Sequence, residues 1–183
     1  MFFIANSVIT GVSALAVAIA GFIPSIHHGY NSLSMPGFMP SFEGFVFFTV
    51  FSMLLTMASS LLTMFQAPSL VDTTVLECAM FGFVVANIFY LVSFFAANFL
   101  LASFLILIVC TGMAIWVCVE TFLVYAWGGW LFVPTTIWTA FVCYSMLTLT
   151  LNNREGAINQ EKASEIVRRN QTRAYRFRTE FLR

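Results

Sequence analysis

Apolar residues come in long runs along this chain, separated by short polar stretches, and no run alternates in the manner of a half-buried strand. A helix rises about 1.5 Å per residue and a bilayer's hydrocarbon core is about 30 Å thick, so one crossing takes about 20 apolar residues. Residues 2–26 make the first such run, ended by Pro24 and the polar His27-His28-Gly29. Residues 45–65 make the second, opened by Glu43-Gly44 and closed by Gln66-Ala67-Pro68. The stretch 74–152 holds only two charges, Glu77 and Glu120, and its 79 residues suit three crossings joined by two tight turns. Ala96-Ala97-Asn98 and Trp127-Gly128-Gly129-Trp130 are the candidate turns, the second because glycine lets the backbone bend freely. The spans predicted are therefore about 2–26, 45–65, 74–95, 99–125 and 130–152. The fold class expected is an all-α integral membrane protein, a bundle of five transmembrane helices followed by a basic, partly helical C-terminal tail. Residues 1–153 form the bundle and 154–183 the tail.

Charge orients this arrangement. All eight Lys and Arg residues follow Asn153, whereas the body carries only Glu43, Asp72, Glu77 and Glu120. The net charge of zero thus conceals a body of −4 and a tail of +4. Segments rich in Lys and Arg stay on the cytoplasmic side, which places the tail on the cytosolic or matrix face. Five spans then put Met1 on the opposite face, with loop 27–44 on the tail's side and loop 66–73 across from it. Tyr125, Trp127 and Trp130 would form an aromatic belt at the outer face. The start of the chain lacks a basic n-region, so residues 2–26 read as a retained span rather than a secretory signal.

Helices in lipid associate through close approach of small residues, since hiding Leu from Leu gains nothing there. Gly11, Ala14, Ala18 and Gly21 offer one such face on the first span, and Ala58-Ser59-Ser60 another on the second. The 22 Phe residues are expected to fill the remaining gaps and coat the lipid side.

Little in the chain points to catalysis. Glu120 is an intramembrane carboxylate, costly to bury as a charge, and a functional candidate for that reason. The blander reading has it reach the interface or stay protonated, because the body offers no Lys or Arg to pair with it. His27 and His28 are adjacent with no ligand partner at metal spacing, and the four cysteines form no CxxC pair. No metal, cofactor or enzymatic activity is expected. In the tail, Val167, Ala174, Phe177 and Phe181 recur at helical spacing among basic residues. Such a face suits anionic lipid headgroups or partner subunits, with Arg168, Arg169, Arg173, Arg176 and Arg178 as the contacts, and not nucleic acid. Asn170-Gln171-Thr172 is a glycosylation sequon that the inner face would leave unused.

Two patches resemble the translocator protein family, also called tryptophan-rich sensory protein or peripheral benzodiazepine receptor. Asn87-Ile88-Phe89-Tyr90 with Phe94-Phe95 is similar to the family's Asn-x-x-Trp followed by a Phe pair. Pro134-Thr135-Thr136-Ile137-Trp138-Thr139-Ala140-Phe141 is similar to its Pro-Tyr-x-x-Trp-x-x-Phe. Pro36-Gly37-Phe38-Met39-Pro40 and the Phe45-Val46-Phe47 and Val50-Phe51 stretches extend the likeness, with Phe in place of Trp. The resemblance covers about residues 30–146 and implies a five-helix bundle with a pocket for porphyrins, sterols or drug-like aromatics. Carried onto this chain, it gives Phe38, Phe45, Phe51, Asn87, Tyr90, Phe94 and Trp138 as the pocket, with Asn87 its main polar contact. Where the family has pocket tryptophans and a Tyr of the second span, this chain has Phe45, Phe51 and Leu55, and Met146 replaces an Asn of the last span. Phe keeps an aromatic ring but loses the indole donor, so ligand selectivity is the property most altered. No basic residue lies within five positions of Tyr144, so the sterol-recognition pattern is absent.

Two functions follow as expectations. One is a non-enzymatic binder or transporter of a small apolar ligand of the porphyrin or sterol class. The other is an accessory structural subunit of a larger membrane complex, such as a mitochondrial respiratory assembly, whose ligand site has degenerated. A mitochondrial membrane is favoured over a bacterial inner membrane.

Overall fold

A computed structural model describes residues 2–31, 33, 36–66, 73–95 and 100–181, with side chains to Asn153 apart from those of residues 2, 3, 25 and 27–29. It contains six helices among the described residues: α1 (Phe2–Ala20), α2 (Pro24–Asn31), α3 (Phe42–Gln66), α4 (Thr74–Phe95), α5 (Leu100–Val124) and α6 (Ala126–Phe181). No strand is present among those residues. Helices α3, α4, α5 and the Ala126–Asn153 part of α6 are long and apolar enough to cross a membrane, and α1 adds a shorter apolar helix. Together they make the five-helix bundle.

The helices close into a ring. Helix α1 lies against α3 and α4, α3 against α6, α6 against α5, and α5 against α4. Small side chains permit the α1–α3 approach: a Cβ on Gly11 would stand 3.4 Å from Met57 Sδ, and one on Gly21 would stand 3.0 Å from Val46. Ala14 is buried on the same helix.

Local chemistry explains the ends. The Ser41 carbonyl accepts from the Phe45 amide at 2.8 Å, and its hydroxyl accepts from the Gly44 amide at 3.3 Å, opening α3 as an N-cap does. Thr73 opens α4, its carbonyl accepting from the Glu77 amide and its hydroxyl donating to the Glu77 carboxylate at 3.0 Å.

Three details differ from the sequence reading. The first span ends at Ala20 rather than near residue 26, and Gly21-Phe22 form a turn. Pro24 does not terminate that span but opens α2, where its missing N–H is among the groups a first helical turn leaves unpaired anyway. Residues 27–44 are consequently not all loop. The third difference concerns Trp127-Gly128-Gly129-Trp130, which is helical; the break between α5 and α6 falls at Tyr125 alone. These glycines serve close packing instead. A Cβ on Gly128 would collide with Thr63 of α3 and one on Gly129 would stand 2.5 Å from the Phe122 ring. The other predicted turn, Ala96-Ala97-Asn98, lies outside the described residues, as does most of loop 66–73.

Two apolar clusters fill the ring at different heights. One joins Tyr30, Phe42, Phe45, Tyr90, Phe94, Leu107, Cys110, Met146 and Leu149, and the other Leu76, Met80, Phe83, Ala114, Val117 and Phe132. Along α4 the clusters are separated at Asn87, and along α6 at Thr135 and Thr139. Between them runs a layer of Ser and Thr hydroxyls.

Candidate functional site

On the outside of the ring, α3 and α6 border a groove of about 490 Å³. Phe48, Phe51 and Ser52 come from α3, at spacings that share one helical face. Pro134, Ile137, Trp138 and Phe141 form the facing stripe of α6, and Phe38 and Pro40 cap one end. The rings are organised by contact with one another. Phe38 stacks on Tyr144 at 5.4 Å, Trp138 on Phe141 at 5.5 Å, and Phe48 lies 5.2 Å from Trp138. Phe48, Phe51 and Ile137 are exposed, so the groove faces outward, where lipid tails would lie.

Polar chemistry is sparse there. The Ser52 hydroxyl donates to the Thr49 carbonyl at 2.9 Å, and Pro134 has no N–H. The Trp138 indole is the single side-chain nitrogen donor among the lining residues. The groove thus accommodates an apolar body, with one indole among its lining side chains.

The seven residues expected to line one pocket divide among three places. Phe38, Phe51 and Trp138 meet in the groove. Phe45, Tyr90 and Phe94 instead fill the interior behind it: Phe45 packs 5.7 Å from Trp138 and 6.1 Å from Phe94, and Tyr90 stacks on Phe94 at 6.0 Å. Asn87 lines neither; it borders a small polar cavity in the hydroxyl layer, with its Nδ2 donating to the Phe83 carbonyl at 3.3 Å. It therefore supplies no polar contact to this groove, because its position on α4 places it against the cavity shared with α1, α3 and α6. Sequence reasoning passed over Phe48, Pro134, Ile137 and Phe141. A helical stripe drawn through Trp138 and Phe51 would have found them, since residues three and four apart share a face.

The other candidates contribute less. Glu120 is half-buried on α5 and accepts a hydrogen bond from Trp116 Nε1 at 3.1 Å, on a face where Trp116 is exposed. All four cysteines are free. No cluster of three metal-ligating side chains exists among the described residues. The side chains of His27, His28 and the tail arginines lie outside the description.

An apolar bundle with a hydrophobic groove on its lipid-facing wall defines a multi-pass integral membrane protein. The chain matches the TspO/MBR family over residues 7–151, most of its length, and belongs to that family. No curated protein and no solved structure matches it.

Proposed function

We propose that this protein is a non-enzymatic membrane binder or carrier of a small apolar ligand of the porphyrin or sterol class, received from the bilayer into the α3–α6 groove. The observation that carries this reading is the groove itself. Its volume of about 490 Å³ falls within the roughly 300–1,000 Å³ common for small-molecule sites. Its one indole donor suits a ligand bearing a carbonyl, hydroxyl or carboxyl acceptor on an otherwise apolar frame. Phe in place of Trp elsewhere in the site leaves Trp138 as the only donor to select among ligands.

Titration of the purified protein with a porphyrin and with a sterol, followed through Trp fluorescence, tests the reading. Saturable binding is expected, weakened several-fold by Phe51→Ala through the packing contacts its ring would make with the ligand. Asn87→Leu is expected to leave affinity unchanged. Absence of saturable binding to either ligand would defeat the proposal.

A second reading has one observation in its favour. Phe45, Tyr90 and Phe94 fill the interior, with relative exposures of only 1–4%. That suits an accessory subunit of a membrane complex, mitochondrial by preference, with Arg168, Arg169, Arg173, Arg176 and Arg178 of the tail facing a neighbour or anionic lipid. Extraction in mild detergent separates the two: a lone monomer or dimer argues against a subunit, and a large assembly argues for one.

A further inference from the structure

The hydroxyl layer between the two apolar clusters encloses a second, much smaller cavity of about 20 Å³, bordered by α1, α3, α4 and α6. Seven of its ten lining residues are Ser, Thr or Asn, although it lies at mid-height in a bundle of lipid-spanning helices. The hydroxyl hydrogens around it are already committed, as is common for Ser and Thr within helices. On α1, Thr10 donates to the Asn6 carbonyl at 2.7 Å and Ser13 to the Ile9 carbonyl at 2.8 Å. On α3, Ser52 donates to the Thr49 carbonyl at 2.9 Å and Thr56 to the Ser52 carbonyl at 3.0 Å. On α6, Thr135 donates across to the Ser52 carbonyl at 2.9 Å and Thr139 to the Thr135 carbonyl at 2.8 Å.

A hydroxyl that has donated its one hydrogen keeps its lone pairs. Thr56 Oγ1 also lies 3.3 Å from Thr135 Oγ1, which takes up one of these lone pairs, and the remaining hydroxyl lone pairs are acceptors for an occupant. Asn87 adds a carbonyl oxygen and, with one amide hydrogen given to Phe83, a second amide hydrogen. An acceptor-rich wall with one donor calls for an occupant with two hydrogens to give and a lone pair to receive. A polar cavity needs about 10–15 Å³ to hold a water, and such a water commonly makes about three hydrogen bonds. The volume holds one molecule of that size.

From this geometry we infer that the cavity is an internal hydration site, binding one water that joins α1, α3, α4 and α6 at the centre of the bundle. A monovalent cation would meet the same acceptors, but none of the lining residues is charged. Taking an ion out of water without a counter-charge is strongly unfavourable. Water satisfies the wall without that cost. The site is separate from the lipid-facing groove, although Ser52 borders both cavities.

Nuclear magnetic resonance on the full chain in lipid nanodiscs, with the Asn and Thr residues isotopically labelled, tests the inference. The Asn87 side-chain amide is expected to show a cross-relaxation signal to a long-lived water. Exchanging sodium for potassium or ammonium should leave Asn87 unmoved. Thr56→Val with Thr135→Val keeps side-chain shape and removes two acceptors, and is expected to abolish the water signal. Ser13→Ala, on a half-buried position, serves as the milder variant and should reduce the signal several-fold. A wild-type protein without the water signal would overturn the inference, as would a saturable shift of Asn87 with any one cation. Persistence of the signal at full strength in both variants would equally rule out the hydroxyl wall as the binding site.

Discussion

Tyr30 is the residue that fastens the segment between α1 and α3 to the bundle. Its hydroxyl donates to the Pro40 carbonyl at 3.0 Å, and its ring contacts Phe42 at 5.3 Å, Phe45 at 5.8 Å and Phe94 at 6.3 Å. One side chain thereby holds the segment that delivers Phe38 and Pro40 to the groove. Burial pushes the Tyr30 phenol up to about 12 from an ordinary 10.0. The unfolded chain then loses this proton first as pH rises, so the folded state loses stability between about pH 10 and 12. Tyr30→Phe is expected to flatten that slope and to cost about 1 kcal/mol at neutral pH through the lost hydrogen bond. Thermal unfolding of both proteins across the alkaline range checks this; an identical slope in the two would remove Tyr30 as the cause.

At the scale of elements, glycine has two uses that sequence alone does not separate. It permits a bend, and it permits two helices to touch. The pair Gly128-Gly129 reads as a turn in the sequence, yet it performs the second role at the start of α6. Ser59 Oγ donates to the Gly128 carbonyl at 2.8 Å, a cross-helix bond that the missing side chain makes room for. Gly128→Ala is expected to destabilise by about 1–3 kcal/mol, the ordinary cost of overpacking. Gly112 provides the comparison, since a Cβ there meets nothing within 4 Å. Gly112→Ala should leave stability unchanged or slightly raised, and equal losses in both variants, measured by thermal unfolding in detergent, would refute the contact explanation. The existence of each long helix was legible because a lipid solvent demands unbroken apolar length. The start of α2 was not, because Pro at a first helical turn and Pro past a helix end look alike in sequence.

For the molecule as a whole, the class was readable from the charge-free runs and the confinement of every cation to residues beyond 153. The candidate site was legible only in part. Phe38, Phe51 and Trp138 face a common groove, but Phe45 and Asn87 face elsewhere, because the direction of a side chain depends on how its helix is rotated within the ring. Low charge and dense Phe leave little amphipathic signal from which to read such a rotation. The segregation of charge still makes a topological prediction. Protease accessibility of tags at the two termini in sealed vesicles should place Met1 and Arg183 on opposite faces; finding both on one face would exclude five crossings.

The order of helices around the ring has a developmental consequence. Helices α3 and α6 are far apart in the chain yet share the wall of the groove, and α6 follows the other four spans in sequence. A nascent chain that has already inserted α1, α3, α4 and α5 holds a cleft open to lipid where α6 belongs. The groove wall thus comes into being only when α6 inserts, and chains cut short before Ala126 would reach the membrane with no groove at all.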